Sequence, residues 1–469
     1  MREDPPVGGY GACQSEQLEL SECYDRIGLG KAQVLFWVAL SWVVYCNNSA
    51  LVIISIIIPY LRCEWDLTVF FEAVLSCSIF FFYAISVMVF GKLSDKYGRR
   101  STLTVTLTVL HVVSLGSAFV TNKWQFLAAR SIMGICIGAS FPTTVVFSAE
   151  VVKSQYREIG PTIMVFVCKA AMMIVAILAY VFLNWVGWRW FIVIATLPNI
   201  PALILLRLVP KSPRYLCARG AQEEANAAVK KMAEWNKKSH TLPDDLVIVV
   251  HQDQPLGQIK DILAPKYLKE TVLLSLMYFG NFFIMFGFTV FVPLAIYSGF
   301  CGASAKGATR DCKKFNQEGL VKIIIITSGA TAAILVGLFF ALKTGRNFSM
   351  KLFNTLVFVS TIFIIPCISG SVTTVVLFLI NCFASAVNLI KWIVIPELYP
   401  TVIRSTASGF INMWGASGGV LATVLVYTLF FVSEYLLVAC FVLSALLCMV
   451  AAWLWTKETK DMDLQDVDT

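Results

Sequence analysis

The run Gly91-Lys92-Leu93-Ser94-Asp95-Lys96-Tyr97-Gly98-Arg99-Arg100 decides the fold. It is a tight, charged turn between two long apolar segments. Gly91 and Gly98 permit bends that other residues resist. Lys92, Lys96, Arg99 and Arg100 crowd around a single acid, Asp95. A basic loop this short, between apolar segments of spanning length, marks the cytosolic side of a membrane.

Composition agrees. Of 469 residues, 58% are hydrophobic and only 14% charged, with a mean hydropathy of +0.75. Soluble domains are about one-quarter charged, so this chain belongs in a bilayer. At ~20 residues per span plus connections, it holds about twelve helices. The formal charge of +8 comes from basic residues flanking apolar spans and does not point to nucleic acid. The fourteen cysteines lie mostly inside apolar segments, where cysteine serves as a small core residue. There is no P-loop, no clustered His/Cys ligand spacing and only three histidines, so neither a metal, a cofactor nor an enzyme is expected. The polar, acidic N-terminal tail has no secretory signal and reads as cytosolic.

In chain order, span one covers about residues 32–60, span two ends near 90, span three covers 101–120 and span four 124–151. Arg130, Gly134, Gly138 and Pro142 recur every four residues in span four and stack on one helix face. Small residues there admit a neighbouring helix, and a buried arginine needs protein or water around it. Glu150 and Arg157 bracket the next turn; spans five and six reach about residue 209. The composition then turns polar over 210–270, with helix-forming stretches. Spans seven to twelve fill 271–455. Lys343-Thr344-Gly345-Arg346 is a worn copy of the opening loop, with Leu342 where its aspartate would stand. The expected architecture is an all-α membrane protein of twelve transmembrane helices in two six-helix bundles. The expected units are a cytosolic tail (1–31), a first bundle (32–209), a cytosolic insert (210–270), a second bundle (271–455) and a cytosolic tail (456–469). Two related halves around a midplane site are a common route to alternating access.

The order G-x-L-x-D-x-x-G-R-R closely resembles the signature loop between helices two and three of the major facilitator superfamily. R-x-x-x-G-x-x-x-G-x-x-x-P resembles the same family's span-four motif, whose arginine is tied to helix packing and, in some members, proton coupling. Pro210-Lys211-Ser212-Pro213-Arg214 is similar to the P-E-S-P-R motif of sugar and organic-ion carriers, and Glu397-Leu398-Tyr399-Pro400-Thr401-x-x-Arg404 to the E-x-Y-P-T-x-x-R turn of the organic-ion and synaptic-vesicle branches. Cys63-Glu64-Trp65 in a short outer loop, and the cysteine-bounded loop after span seven, resemble the synaptic vesicle 2-related group. The chain departs from these patterns at Asn47 and Ala50, where an acidic pair is usual, at Lys211, at Leu342 and at Ala416. The resemblance implies that Gly91, Asp95, Gly98, Arg99, Arg130, Gly134, Gly138, Pro142, Glu150, Arg157, Arg214, Glu397 and Arg404 serve conformational change.

An ionisable residue inside a span is a functional candidate by default. Lys169, in an otherwise apolar stretch of span five, binds an anionic group, pairs with an acid, or titrates. Lys391, nearer the cytosolic end of span ten, is expected to snorkel. Tyr45, Asn47, Asn48, Tyr278, Asn281, Asn388, Asn412 and Trp414 are candidates for a cavity wall, although asparagines as often bridge helices. Glu72 is the clear intramembrane acid. Cys301 and Cys312 share a loop on the oxidising side, where a disulfide is plausible. The sequence thus points to a monomeric carrier in the plasma membrane or a vesicle membrane, with both termini cytosolic. Its partners are the lipid bilayer and a small organic solute, an ion rather than a sugar. The rival reading is a carrier-fold protein that no longer transports and serves as a vesicle or membrane binding partner.

Overall fold

A computed structural model describes residues 17–153, 156, 159–243, 246–249, 259–298, 316–364, 370–399 and 401–459. Spans one to four are α2 (Lys31–Trp65), α3 (Val69–Tyr97), α4 (Arg99–Ser117) and α5 (Lys123–Glu150), preceded by a short amphipathic α1 (Leu20–Ile27). Span five is α6 (Ile159–Leu178) with a π-helical turn at Ala179–Leu183. Span six is α7 (Asn184–Thr196) and α8 (Asn199–Leu208), entered through Gly187 at φ +79°. Short helices α9 (Pro213–Ala218), α10 (Gln222–Trp235) and α11 (Ile259–Ile262) lead to the second half. Spans seven to twelve are α12 (Pro265–Ser298), α13 (Gln317–Thr344), α14 (Arg346–Ile362), α15 (Gly370–Leu398), α16 (Thr401–Phe430) and α17 (Glu434–Leu454). Apolar side chains such as Val105, Leu335 and Leu443 stay more than 60% exposed, the pattern of a surface meant for lipid rather than water.

Helix starts at the end away from the basic loop carry polar caps. The Thr68 side chain accepts from Phe71 N (3.3 Å), Asn122 from Trp124 N (3.1 Å) and Ser433 from Leu436 N (3.3 Å). Two of the expected boundaries move. The charged run is not a turn throughout, because α3 stays helical through Gly91 to Tyr97 and the chain bends only at Gly98 (φ +91°) before α4. Residues 61–65 are not loop, because α2 continues through Cys63-Glu64-Trp65 and stops at Asp66 in a left-handed conformation (φ 45°). The extra turn is held from outside: Trp65 packs against Phe126 and Trp188 with ring centroids 5.7 Å apart in each case, and Glu64 accepts from Trp188 Nε1 (2.7 Å) and Arg189.

The apolar core divides unequally. At the end away from Gly91–Arg100, one buried cluster runs through both halves, from Ile57 and Leu61 of α2 to Phe291 of α12 and Tyr427 of α16. At the basic end the core splits: one cluster belongs mainly to the first half and another to the second. A small bridge of Val165, Ile334, Leu389, Trp392 and Ile393 crosses between them, with Phe141 against Trp392 at 5.4 Å. The halves are therefore sealed together at one end and joined only by a thin apolar plug toward the other.

At the basic end a small polar layer caps the first half. β1 (Gln17–Glu19) pairs in parallel with β2 (Val247–Val249), tying the N-terminal segment to the insert. The apolar face of α10 (Ala225, Val229, Met232) is buried in the first half's core. Asn236 fastens this layer to the start of α2 by accepting from Ala32 N (2.8 Å) and donating to Gln33 (2.9 Å).

Candidate functional site

Two lysines, one from each half, are buried beside α12. Lys169 of α6 is 2% exposed and its Nζ lies 3.8 Å from Met285 Sδ. Lys391 of α15 is fully buried; its Nζ donates to the Met277 carbonyl (3.3 Å) and stands 4.2 Å above the Tyr278 ring. The expectation that Lys391 snorkels is corrected. The ring face and carbonyl supply what solvent would have supplied, so the side chain turns inward. Met277 and Met285 are about two helical turns apart, on the order of 12 Å. Among the described residues neither lysine has a carboxylate partner. Burying two like charges without a counter-charge is costly.

The other wall candidates sort by their partners. Asn47 is 1% exposed and both side-chain polar atoms lack a partner. Asn388 Oδ1 and the Tyr278 hydroxyl are also unsatisfied. Asn281 Oδ1 and Asn412 Oδ1 are unsatisfied as well. Asn48 donates to the Cys168 carbonyl, and Asn281 to the Ala384 carbonyl (3.2 Å), so both bridge helices. Asn412 donates to Ser408 O (2.8 Å) on its own helix. Tyr45 is buried. Trp414 is 44% exposed and has no ring partner among the described residues.

The conformational residues form two matching constellations at the basic end. In the first half, Gly98 (φ +91°) starts α4, Arg99 pairs with Glu150 at 2.8 Å, and Ser212 Oγ donates to Glu150 at 2.7 Å. In the second, Gly345 (φ +95°) starts α14, Arg346 pairs with Glu397 at 2.9 Å, and Thr459 donates to Glu397. Arg404 Nε donates to Tyr399 O (3.1 Å), and Arg214 sits in the first turn of α9. Gly134 and Gly138 press α5 onto α3: a Cβ on either would come within 2.5 Å of the Ile79 or Tyr83 carbonyl oxygen. Pro142 lies within α5, and Arg130 Nη1 donates to the Ala50 carbonyl (2.8 Å). Gly91 and Asp95 fall in the last turns of α3, but the Asp95 side chain, Arg157, Cys301 and Cys312 lie outside the described residues.

Sequence reasoning passed over the partner of Glu72, the contacts of Glu458 and Thr459, and the bonded state of Cys63. Glu72 is fully buried in a bidentate pair with Arg62 (2.7 and 2.8 Å), and the guanidinium lies 5.7 Å from the Phe431 ring of the other half. This pair sits at the sealed end. Thr459 and Glu458 were legible had Lys457-Glu458-Thr459 been set against Pro210-Lys211-Ser212. Cys63 is disulfide-bonded, whereas the nine other described cysteines are free.

The family model of the Major Facilitator Superfamily matches residues 38–423. The chain belongs to that superfamily and is a multi-pass membrane transporter of small solutes, with twelve helices in two bundles. It is similar to the synaptic vesicle 2-related protein of Pongo abelii, 25% identical over 456 residues, covering 95% of this chain and 82% of that one. It is likewise similar to organic cation/carnitine transporter 7 of Arabidopsis thaliana, 25% identical over 488 residues and covering 95% and 96%. Among solved structures it is similar to the inward open conformation of the xylose transporter XylE from E. coli, with TM-score 0.68, 16% identity and coverage of 92% and 98%.

Proposed function

We propose that the protein carries a small organic anion by alternating access, with Lys169 and Lys391 clasping its negative group between the two halves. The single observation behind this reading is the pair of buried lysines, one per half, without a carboxylate partner among the described residues. A carrier needs a site that both halves share, because rocking about the solute is what moves it. Asn47, Asn388 and the Tyr278 hydroxyl, each with an unmet polar atom, supply the neutral contacts. The plant relative's name points to cations and carnitine; of these, carnitine alone bears a carboxylate, and two buried ammonium groups repel a simple cation.

The core sealed at one end and thinly bridged at the other supports an inward-facing, partly occluded state, with the basic end, both termini and the 210–270 insert in the cytosol. The units at 1–31, 32–209, 210–270, 271–455 and 456–469 remain our division of the chain. We place the protein, as a monomer, in a vesicle or plasma membrane; the vesicle-related relatives favour the former. The family and fold are those of transporters, and the intact Arg99–Glu150 and Arg346–Glu397 constellations favour a working carrier over a non-transporting binding partner. Uptake by proteoliposomes of a panel of labelled organic anions, cations and neutral solutes tests this. The expected result is saturable uptake of an anion, lowered at least about tenfold in Lys169→Ala. Uptake restricted to cations or sugars, or none across the panel, contradicts it.

A further inference from the structure

Among the described residues Arg130 has no counter-charge. Its guanidinium is buried at the junction of α2, α4, α5 and α7, where Ala50, Ser114, Ser117, Met133 and Thr196 line a small cavity beside it. Nη1 is satisfied by the Ala50 carbonyl (2.8 Å) and touches Met133 Sδ (3.7 Å). Nε and Nη2 have no partner, and neither does the Ser114 hydroxyl. The other hydroxyls are committed elsewhere: Ser117 donates to Ser114 O (2.7 Å) and Thr196 to Ile192 O (2.9 Å). Three unsatisfied donors thus border one cavity, and among the described residues no carboxylate pairs with the arginine. Ala50 of α2 also lines the cavity.

An isolated buried guanidinium is expensive, and a hydrogen bond alone does not neutralise it. The cavity has room for about one water-sized body. One water would accept from two of the three donors and would leave the charge uncompensated. A monatomic anion answers both needs.

We propose that this cavity is a binding site for a single halide, chloride under physiological conditions, held by Arg130 Nε and Nη2 and by Ser114 Oγ. The ion takes the place of a side-chain carboxylate on α2 and fixes the packing of α2, α4, α5 and α7. The site is separate from the lysine site: its lining residues all come from the first half, whereas Lys169 and Lys391 face α12.

The test is the melting temperature of the purified full chain as chloride replaces gluconate at constant ionic strength. It is run in the Lys169→Gln/Lys391→Gln background, so that gluconate meets no central lysine; gluconate is too large for the cavity. The expected result is a saturable rise with chloride, reproduced by bromide. Ser114→Ala, which removes one hydrogen bond to the ion, should raise the half-saturating concentration about tenfold or more. Ala50→Asp supplies a built-in carboxylate and should abolish the chloride response. Equal melting temperatures in chloride and gluconate overturn the proposal and assign the cavity to water. So does a chloride response unchanged in Ser114→Ala, which also serves if Ala50→Asp does not fold. Because the lysines are absent throughout, failure here leaves the anion-carrier reading standing.

Discussion

The two halves solve one problem at the basic end with different chemistry. Each ends its second span on a glycine at positive φ, begins the next with an arginine, pairs that arginine with a glutamate at the end of the following helix, and orients the glutamate with a hydroxyl beyond its sixth span. The residues are Gly98, Arg99, Glu150 and Ser212 in one half and Gly345, Arg346, Glu397 and Thr459 in the other. The neighbour of the hydroxyl differs. Glu458 accepts from Arg346 N (2.8 Å) and Asn347 N (3.1 Å), an acid on the first free amides of α14. Its counterpart is Lys211, which turns away to Glu224 (2.7 Å) at the surface. The space against Gly98 goes to the Tyr215 ring, and Arg219 donates to Lys96 O (2.8 Å). The second half lacks the loop's aspartate and has an acidic helix cap, whereas the first has the aspartate and a lysine at the matching cap position. Each half thus retains an acid near its hinge, in a different place.

That comparison is open to attack, starting with the ion pairs. Arg346 and Glu397 are 7% and 8% exposed, whereas Arg99 is 15% exposed. Glu397→Gln leaves a buried arginine charge and should destabilise by about 3 kcal/mol in denaturant unfolding, with Glu150→Gln costing less. Equal costs would mean that burial does not distinguish the two pairs. Next come the glycines. Gly98→Ala should cost about 2 kcal/mol, because its backbone conformation excludes a side chain and a Cβ would meet Tyr215 at 2.8 Å. Gly345→Ala should cost less, because the atom in its way at 2.6 Å is the movable Glu458 carboxylate. A larger loss at Gly345, read by the same unfolding assay, would reverse the ranking. Glu458→Gln should cost about 1 kcal/mol by weakening the α14 cap, and added salt should shrink the difference. The smallest effect is a gain: Lys211→Glu should add about 0.5 kcal/mol by returning an acid to the start of α4. A loss there would mean that Tyr215 has closed that position to a carboxylate.

The fold was legible because its signals are local. Gly91 to Arg100 needs only its own residues and flanks to declare a junction between two spans, although α3 stays helical to Tyr97 and breaks only at Gly98; apolar runs of spanning length declare the helices. Lys169 was legible for the same reason, as one charge in an apolar stretch. Lys391 was not, because its direction depends on Tyr278, more than a hundred residues away in sequence and 4.2 Å away in space. Arg62–Glu72 was half visible: Glu72 declared itself, but its partner sat in what read as the end of a span and an outer loop, until packing of Trp65 and Glu64 carried the helix on. The asparagines show the limit of pattern. Asn47 and Asn48 are adjacent and of one type, yet one is unsatisfied and the other bridges to α6. Adjacent helix positions point about 100° apart, and only the neighbouring helices decide what each meets.

The central claim is that each half brings one lysine to a shared anion. The most direct test is the stability of the purified protein against small organic anions, cations and neutral solutes, in the wild type and in Lys169→Gln and Lys391→Gln separately. At a hundred times its dissociation constant a ligand should stabilise by about 2.7 kcal/mol. The account predicts that an anion does so and that either substitution removes most of the shift. Stabilisation by a cation or neutral solute alone, or by an anion with the full shift retained in both variants, would contradict it.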